Sequence, residues 1–260
     1  FAFQDLLKHG QDSAYRDWYK IRQWDTDTED GFLYDSWGGG TYLPELKQEN
    51  GSLATGPKTY IFDAVKRWMC PEEDPSSGID GWRLDVAYCL PSAFWTEFRV
   101  RVRELNPDAF LSGEIVEPGP EYFQVPTFDS LMHYPTGYLF RKCMLEKSLS
   151  PSGMIRDLKD LLALYPGKNV VVMQNYLDSH DTPRIASQVV NAEIPSSNWQ
   201  DFWSLSRVQD NQDYSIDPPS SKVDWARIRS LILLQFMIPG CPVIYYGSEA
   251  GMWGPNDPDC

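Results

Sequence analysis

The chain has 260 residues, 42% of them apolar and 14% aromatic, which is enough for a sizeable core and unlike a disordered segment. Its formal net charge of −14 argues against a nucleic-acid partner or an anionic membrane surface, since both require a cationic face, and a neutral ligand fits better. No apolar run approaches the roughly 20 residues of a membrane-spanning helix, and Phe1-Ala2-Phe3 shows neither an initiator Met nor a signal-peptide layout, so the compartment is not legible there.

Residues 1–56 are rich in Asp, Gly, Tyr and Trp, with little periodicity beyond a short helix over 3–9, and read as an irregular, loop-rich lobe. Within it, "DTDTEDG" (25–31) has the acidic spacing of a calcium loop, but Asp30 stands where an EF-hand requires Gly, so a solvated acidic loop is the expectation. Asn50-Gly51-Ser52 fits a glycosylation sequon, a pattern too frequent to carry weight by itself. From Pro57 onward, short apolar runs alternate with amphipathic ones, the pattern of βα units on a parallel sheet and hence of an α/β fold. Pro57 opens a helix carrying Tyr60, Ile61, Ala64, Val65, Trp68 and Met69; "IDGWRLDVA" (79–87) follows as a strand. Pro91 opens a second helix with Phe94, Trp95, Phe98, Val102 and Leu105 on one face, and "AFLSGEIV" (109–116) is the next strand. Further strands are expected at 126–131, 169–176 and 241–246, making five, with helices near 134–146, 152–164, 182–191 and 224–237.

Cys70, Cys89, Cys143, Cys241 and Cys260 are odd in number and form no C-x-x-C pair, which suggests buried free thiols rather than a disulfide framework or a zinc site. His133 reads as a satisfied loop or core residue, with lining the cleft as the alternative.

The chemistry lies in acidic groups at strand ends. In "GWRLDVA" (81–87), Arg83 and Asp85 are two apart and share one side of a strand, with Trp82, Leu84 and Val86 on the other. Glu114 ends the next strand, and Asp181 follows "VVVMQNYLDSH". In a barrel of parallel strands such positions converge on a single mouth. Arg83 should then hold Asp85 ionised as a nucleophile, while Glu114, flanked by Ile115 and Val116 and facing two anions, should have a raised pKa and donate a proton. That is the division of labour of a retaining glycosidase, whose two carboxyls stand roughly 5 to 5.5 Å apart.

"GWRLDVA", "GEIVE" and "LDSHDTPR", in that order, resemble the motifs of the α-amylase family, glycoside hydrolase family 13. "YLPELKQENG" (42–51) and "PVIYYGSEAGMWGPNDPDC" (242–260) resemble segments of its cyclomaltodextrinase, neopullulanase and maltogenic amylase branch. The resemblance implies Asp85 as nucleophile, Glu114 as general acid/base and Asp181 as the carboxylate that stabilises the transition state, with Arg83, His180 and Arg184 binding substrate. It implies a partial (β/α)8 TIM barrel: residues 1–56 would be the tail of the family's domain B, and 57–260 the later part of the barrel. The early strands and the C-terminal β domain have no counterpart in this sequence, which therefore reads as part of a longer protein. The expected activity is cleavage of α-1,4-glucosidic bonds in cyclomaltodextrins, maltooligosaccharides or related α-glucans. No cofactor is required for that chemistry; the resemblance is compatible with a structural calcium, whose ligands are not identifiable, and with a homodimer of the full-length protein. A transglycosylase shares the same intermediate, and a glycan- or partner-binding scaffold is the non-catalytic rival, disfavoured by the complete set of acid, nucleophile and stabiliser. Val116 and Glu117 replace the Trp and His common after the family's "GE", and Tyr88 and Cys89 follow "RLDVA" in place of more usual polar residues, so bond specificity stays open.

Overall fold

The structure is a computed structural model that describes residues 1–256, so Cys260 and the end of the 242–260 segment lie outside the described residues. The chain divides into two compact units: Phe1–Trp82 with Ala87–Leu111 and Val125–Phe128, and Arg83–Val86 with Ser112–Gln124 and Asp129–Cys260.

The first unit opens with α1 (Ala2–His9), whose Leu6 is fully buried with Tyr19 and Phe32 beneath a cover of Phe3, Trp18, Trp24 and Tyr34. This small aromatic core gives the lobe more order than its lack of periodicity suggested. Strands β1 (Ile21–Trp24) and β2 (Phe32–Tyr34) form an antiparallel pair, as do β3 (Gln48–Glu49) and β4 (Ser52–Leu53). Between β3 and β4, Asn50 and Gly51 both have positive φ (52° and 76°), the backbone of a tight hairpin turn that Asn-Gly suits best. Helix α2 (Thr55–Met69) buries Pro57, Val65 and Met69, whereas Tyr60 and Trp68 of the expected apolar face are exposed. Helix α3 (Ser92–Leu105) buries Phe94, Trp95, Phe98 and Val102, as its spacing predicts, and Phe62 of α2 stacks on Phe94 at 6.0 Å.

Strand β5 (Gly81–Leu84) begins the main sheet, followed by β6 (Phe110–Gly113), β7 (Ser130–His133), β8 (Gln174–Asn175) and β9 (Cys241–Pro242). These five lie side by side in sequence order, and the β6–β7, β7–β8 and β8–β9 pairs are parallel. The expected number of strands and the expected parallel order are therefore present, but each strand is shorter than its apolar run. Residues 169–176 show why. Pro166 and Gly167 start a short helical turn, so that only Gln174 and Asn175 remain to pair. A short buried apolar run does not by itself distinguish strand from helix.

In the second unit, α4 (Glu121–Gln124) follows β6, and α5 (Tyr134–Met144), α6 (Pro151–Ala163), α7 (Gly167–Val170), α8 (Ile185–Val190), α9 (Trp199–Leu205) and α10 (Lys222–Met237) complete the helices. The core collects Phe140, Cys143, Met154, Ile185, Val189, Ile228 and Leu231 from α5, α6, α8 and α10. Capping fixes several starts: Ser150 accepts from Gly153 N at α6, and Ser221 and Asp224 form a reciprocal capping box at α10. Helix α9 is an addition to the expected set, capped by Asn198, which accepts from Asp201 N.

Candidate active site

All the side chains that converge on the C-terminal ends of β5, β6 and β7 belong to the second unit. Asp85 is the first residue past β5, and its carboxylate is 71% exposed. Glu114 is the first residue past β6; its N–H donates to Leu84 O at 2.9 Å and its carboxylate is only 9% exposed. Arg83 ties the two together. One guanidinium nitrogen, Nη2, lies 2.7 Å from Glu114 Oε1, Nη1 donates to Asp85 Oδ1, and Nε lies 3.3 Å from Met132 Sδ. Arg83 thus does more than pair with Asp85, because one cation bridges both carboxylates.

Val86 completes the clamp. Its N–H donates to Glu114 Oε2 at 2.8 Å, and its φ of 43° is a left-handed conformation that a β-branched residue adopts only under strain. Burial pushes the pKa of Glu114 up; the Val86 N–H and the Arg83 charge pull it back, while the negative charges of Asp181 and Asp85 add to the upward shift. The net direction is up, so the neutral acid is favoured beyond the usual carboxylate range.

Asp181 sits in a turn built by small hydroxyls. Ser179 N donates to Thr182 Oγ1 at 2.8 Å, Asp181 N donates to Ser179 Oγ at 3.1 Å, and Tyr134 Oη donates to the same Ser179 Oγ at 3.1 Å. His180 is exposed, with Nε2 3.2 Å from Asp181 Oδ2. Asp178 anchors the turn from beneath, accepting from Ile185 N at 2.8 Å and Ser248 Oγ at 2.6 Å; burial pushes its pKa up. Tyr134 begins α5 immediately after β7, and its ring stacks on Tyr176 at 5.2 Å. Gly137 permits this approach, since a Cβ there would meet Tyr176 O at 2.4 Å. Tyr134, Tyr176, Asp178 and Ser179 were not singled out from sequence. Tyr134 follows β7 directly, the same strand-end position that Asp85 and Glu114 take after β5 and β6.

Arg184 is turned elsewhere. It is buried, its Nη1 donates to Tyr246 O at 2.6 Å, and its guanidinium lies over the Tyr245 and Tyr246 rings at 4.4 and 4.6 Å. His133 is also buried, with Nε2 3.1 Å from Tyr165 Oη and Nδ1 2.7 Å from Thr136 Oγ1; burial pushes its pKa down to about 4. Among the described residues, no group of three or more His, Cys, Asp or Glu side chains is placed to hold a metal ion. The cluster thus combines a buried carboxyl whose neutral form is favoured, an open carboxylate, a shared guanidinium and a third carboxylate whose charge reaches the first.

Residues 1–258 match the family model described as alpha amylase, catalytic domain. Neopullulanase 2 of Thermoactinomyces vulgaris is 32% identical over 265 residues, covering 100% of this chain and 37% of that protein. A cyclomaltodextrinase of Geobacillus thermopakistaniensis is 32% identical over 258 residues, covering 99% and 37%. Among solved structures, a cyclomaltodextrinase superposes with a TM-score of 0.78 at 31% identity, covering 100% of this chain and 38% of that one. The cyclic alpha-maltosyl-(1→6)-maltose hydrolase of Arthrobacter globiformis, in complex with its named substrate, gives 0.78 at 26% identity, covering 100% and 49%. The chain spans well under two thirds of the length of these relatives.

Proposed function

The chain belongs to the alpha-amylase catalytic-domain family, and from that premise we propose that the protein is a retaining glycoside hydrolase of α-glucans, cleaving α-1,4-glucosidic bonds by double displacement. The observation that carries the reading is the buried, proton-retaining Glu114 sharing the Arg83 guanidinium with the exposed Asp85. Asp85 Oδ attacks the anomeric carbon as the bond to the leaving oxygen breaks and Glu114 gives that oxygen its proton. In the second step Glu114, now a carboxylate, takes a proton from water, whose oxygen displaces Asp85 from the same carbon. Asp181 stabilises the positive charge that develops on the sugar ring, and His180, at hydrogen-bond distance from it, binds sugar hydroxyls beside it. The α-glucan class is supported by the names of the relatives, which include neopullulanase, cyclomaltodextrinase and maltogenic amylase. In the same reading, the five parallel strands are the later part of a (β/α)8 barrel and residues 1–56 the tail of an inserted lobe.

The test is stereochemical. With the full-length protein, NMR of a maltooligosaccharide digest should show the α-anomer as first product, and Asp85→Asn, which keeps shape but loses the nucleophile, should remove nearly all of the rate. A β-anomer as first product, or substantial activity in Asp85→Asn, would overturn the proposal.

A further inference from the structure

The Asp181 carboxylate has to lie beside a sugar ring to act on it, and the backbone that carries it is tied to one hydroxyl oxygen. Asp181 N donates to Ser179 Oγ at 3.1 Å, and Tyr134 Oη donates to that same oxygen at 3.1 Å. We propose that Tyr134 is a positioning residue for Asp181, its phenol fixing, through the Ser179 hydroxyl, the place from which the carboxylate acts. The inference rests on the hydrolase reading above and adds to it a residue that works at one remove from the sugar.

A serine hydroxyl oxygen has two lone pairs, and here one is taken by the phenol and the other by the amide. The direction of the first bond therefore constrains the second, and the phenol sets where the amide is held. Thr182 Oγ1 closes the turn from its other side by accepting from Ser179 N at 2.8 Å. Tyr134 is itself firmly placed. It is buried at the first position of α5, straight after β7, its ring stacked on Tyr176 at 5.2 Å and 25° and set against Trp199 at 5.6 Å and 50°. Burial keeps the phenol protonated, and the negative charges of Asp181 and Glu114 act in the same direction, so it stays a donor whichever carboxyl of the pair is ionised. Those two charges also mark its place among the reacting groups. A tyrosine that served packing alone would keep all its ring contacts without its hydroxyl, so removal of one oxygen separates the two roles.

The experiment measures kcat and KM for an activated aryl α-maltoside, whose leaving group needs little acid assistance, in the full-length enzyme, in Tyr134→Phe, in Asp181→Asn and in the double variant. Tyr134→Phe should lower kcat by about tenfold with KM within about twofold, because misplacing a group that acts in the transition state leaves ground-state binding alone. In the Asp181→Asn background no carboxylate is left to place, and the same change should cost less than about twofold. A tyrosine that merely supports the fold costs the same factor in both backgrounds. That equality, an unchanged kcat in Tyr134→Phe, or a loss carried by KM alone would overturn the proposal. If Tyr134→Phe does not fold, Ser179→Ala, which deletes the shared oxygen, takes its place in the same cycle with the same expected pattern. If the unsubstituted protein cleaves no α-glucoside, the hydrolase reading falls instead. Hydrogen exchange at the Asp181 amide, read by mass spectrometry, then tests the tie directly: exchange about tenfold faster in Tyr134→Phe supports it, and an unchanged rate refutes it.

Discussion

Glu114 is held by one guanidinium and one strained amide in a place where burial favours its neutral form, and this has a measurable sign. A carboxyl whose folded pKa is raised contributes most to stability below the unfolded value, and that contribution is lost as pH rises through the folded one. Gln mimics the protonated acid at every pH. Glu114→Gln should therefore gain Tm relative to the unsubstituted protein between pH 4 and pH 7, and differential scanning calorimetry at the two values checks it; a constant difference would show that the carboxyl is not strained toward its neutral form. Kinetically, the same variant should lose cleavage of maltooligosaccharides yet keep more activity on activated aryl glycosides, which need little acid assistance. Glu117→Gln should do far less damage to either, and the reverse ranking would mean that the acid has been assigned to the wrong glutamate. In the unsubstituted enzyme, the rate should fall as pH rises through the raised pKa of Glu114, so the basic limb of the profile should lie above the ordinary carboxylate range.

Helices were the most legible elements. The α5, α6, α8 and α10 ranges lie within about three residues of their expected positions, and two of them begin at a definite local signal, Pro151 in α6 and the Ser221–Asp224 box in α10. Removing that box tests its weight: Ser221→Ala should cost about 1 kcal/mol, seen as a lower urea midpoint with unchanged slope. Strands were legible in number and order but not in length, since apolar runs such as 169–176 are buried both as helical turn and as strand. The Asn50-Gly51 turn and the Asn198 cap are local signals with no flanking periodicity to mark the elements they serve. Of the site, the carboxylates were readable from motif order. The bridging role of Arg83 was not, because it depends on the spacing of two neighbouring strands, nor was the hydroxyl-built turn that carries Asp181.

At the scale of the whole molecule, β5 and β9 each have a sheet neighbour on one side only among the described residues. Near β9, Leu233, Phe236 and Met237 of α10 and Ile244 are exposed. Unpaired strand edges and contiguous apolar surface are both routes to association. Even a few hundred Å² of such surface, at about 25 cal/mol per Å², is comparable with the roughly 5 to 15 kcal/mol that stabilises a domain. Residues 1–260 expressed alone should therefore aggregate or melt without cooperativity, and show no α-glucan cleavage. A monodisperse monomer by analytical ultracentrifugation, with a sharp calorimetric transition, would contradict this.

The bridging guanidinium has a further consequence. Before reaction, in the proposed cycle, Asp85 is the anion and Glu114 is neutral; once the glycosyl ester forms, Asp85 is neutral and Glu114 has become the anion. Arg83 contacts both, so it faces one negative charge in each state, and its ion pair passes from one oxygen pair to the other without the residue having to travel. In that cycle the net charge of the cluster is the same before and after the glycosyl ester forms, so neither state asks the solvent to supply or remove a counter-charge. A lysine in its place would carry the same charge at a single point, and would have to move between two partners that the arginine fork reaches at once.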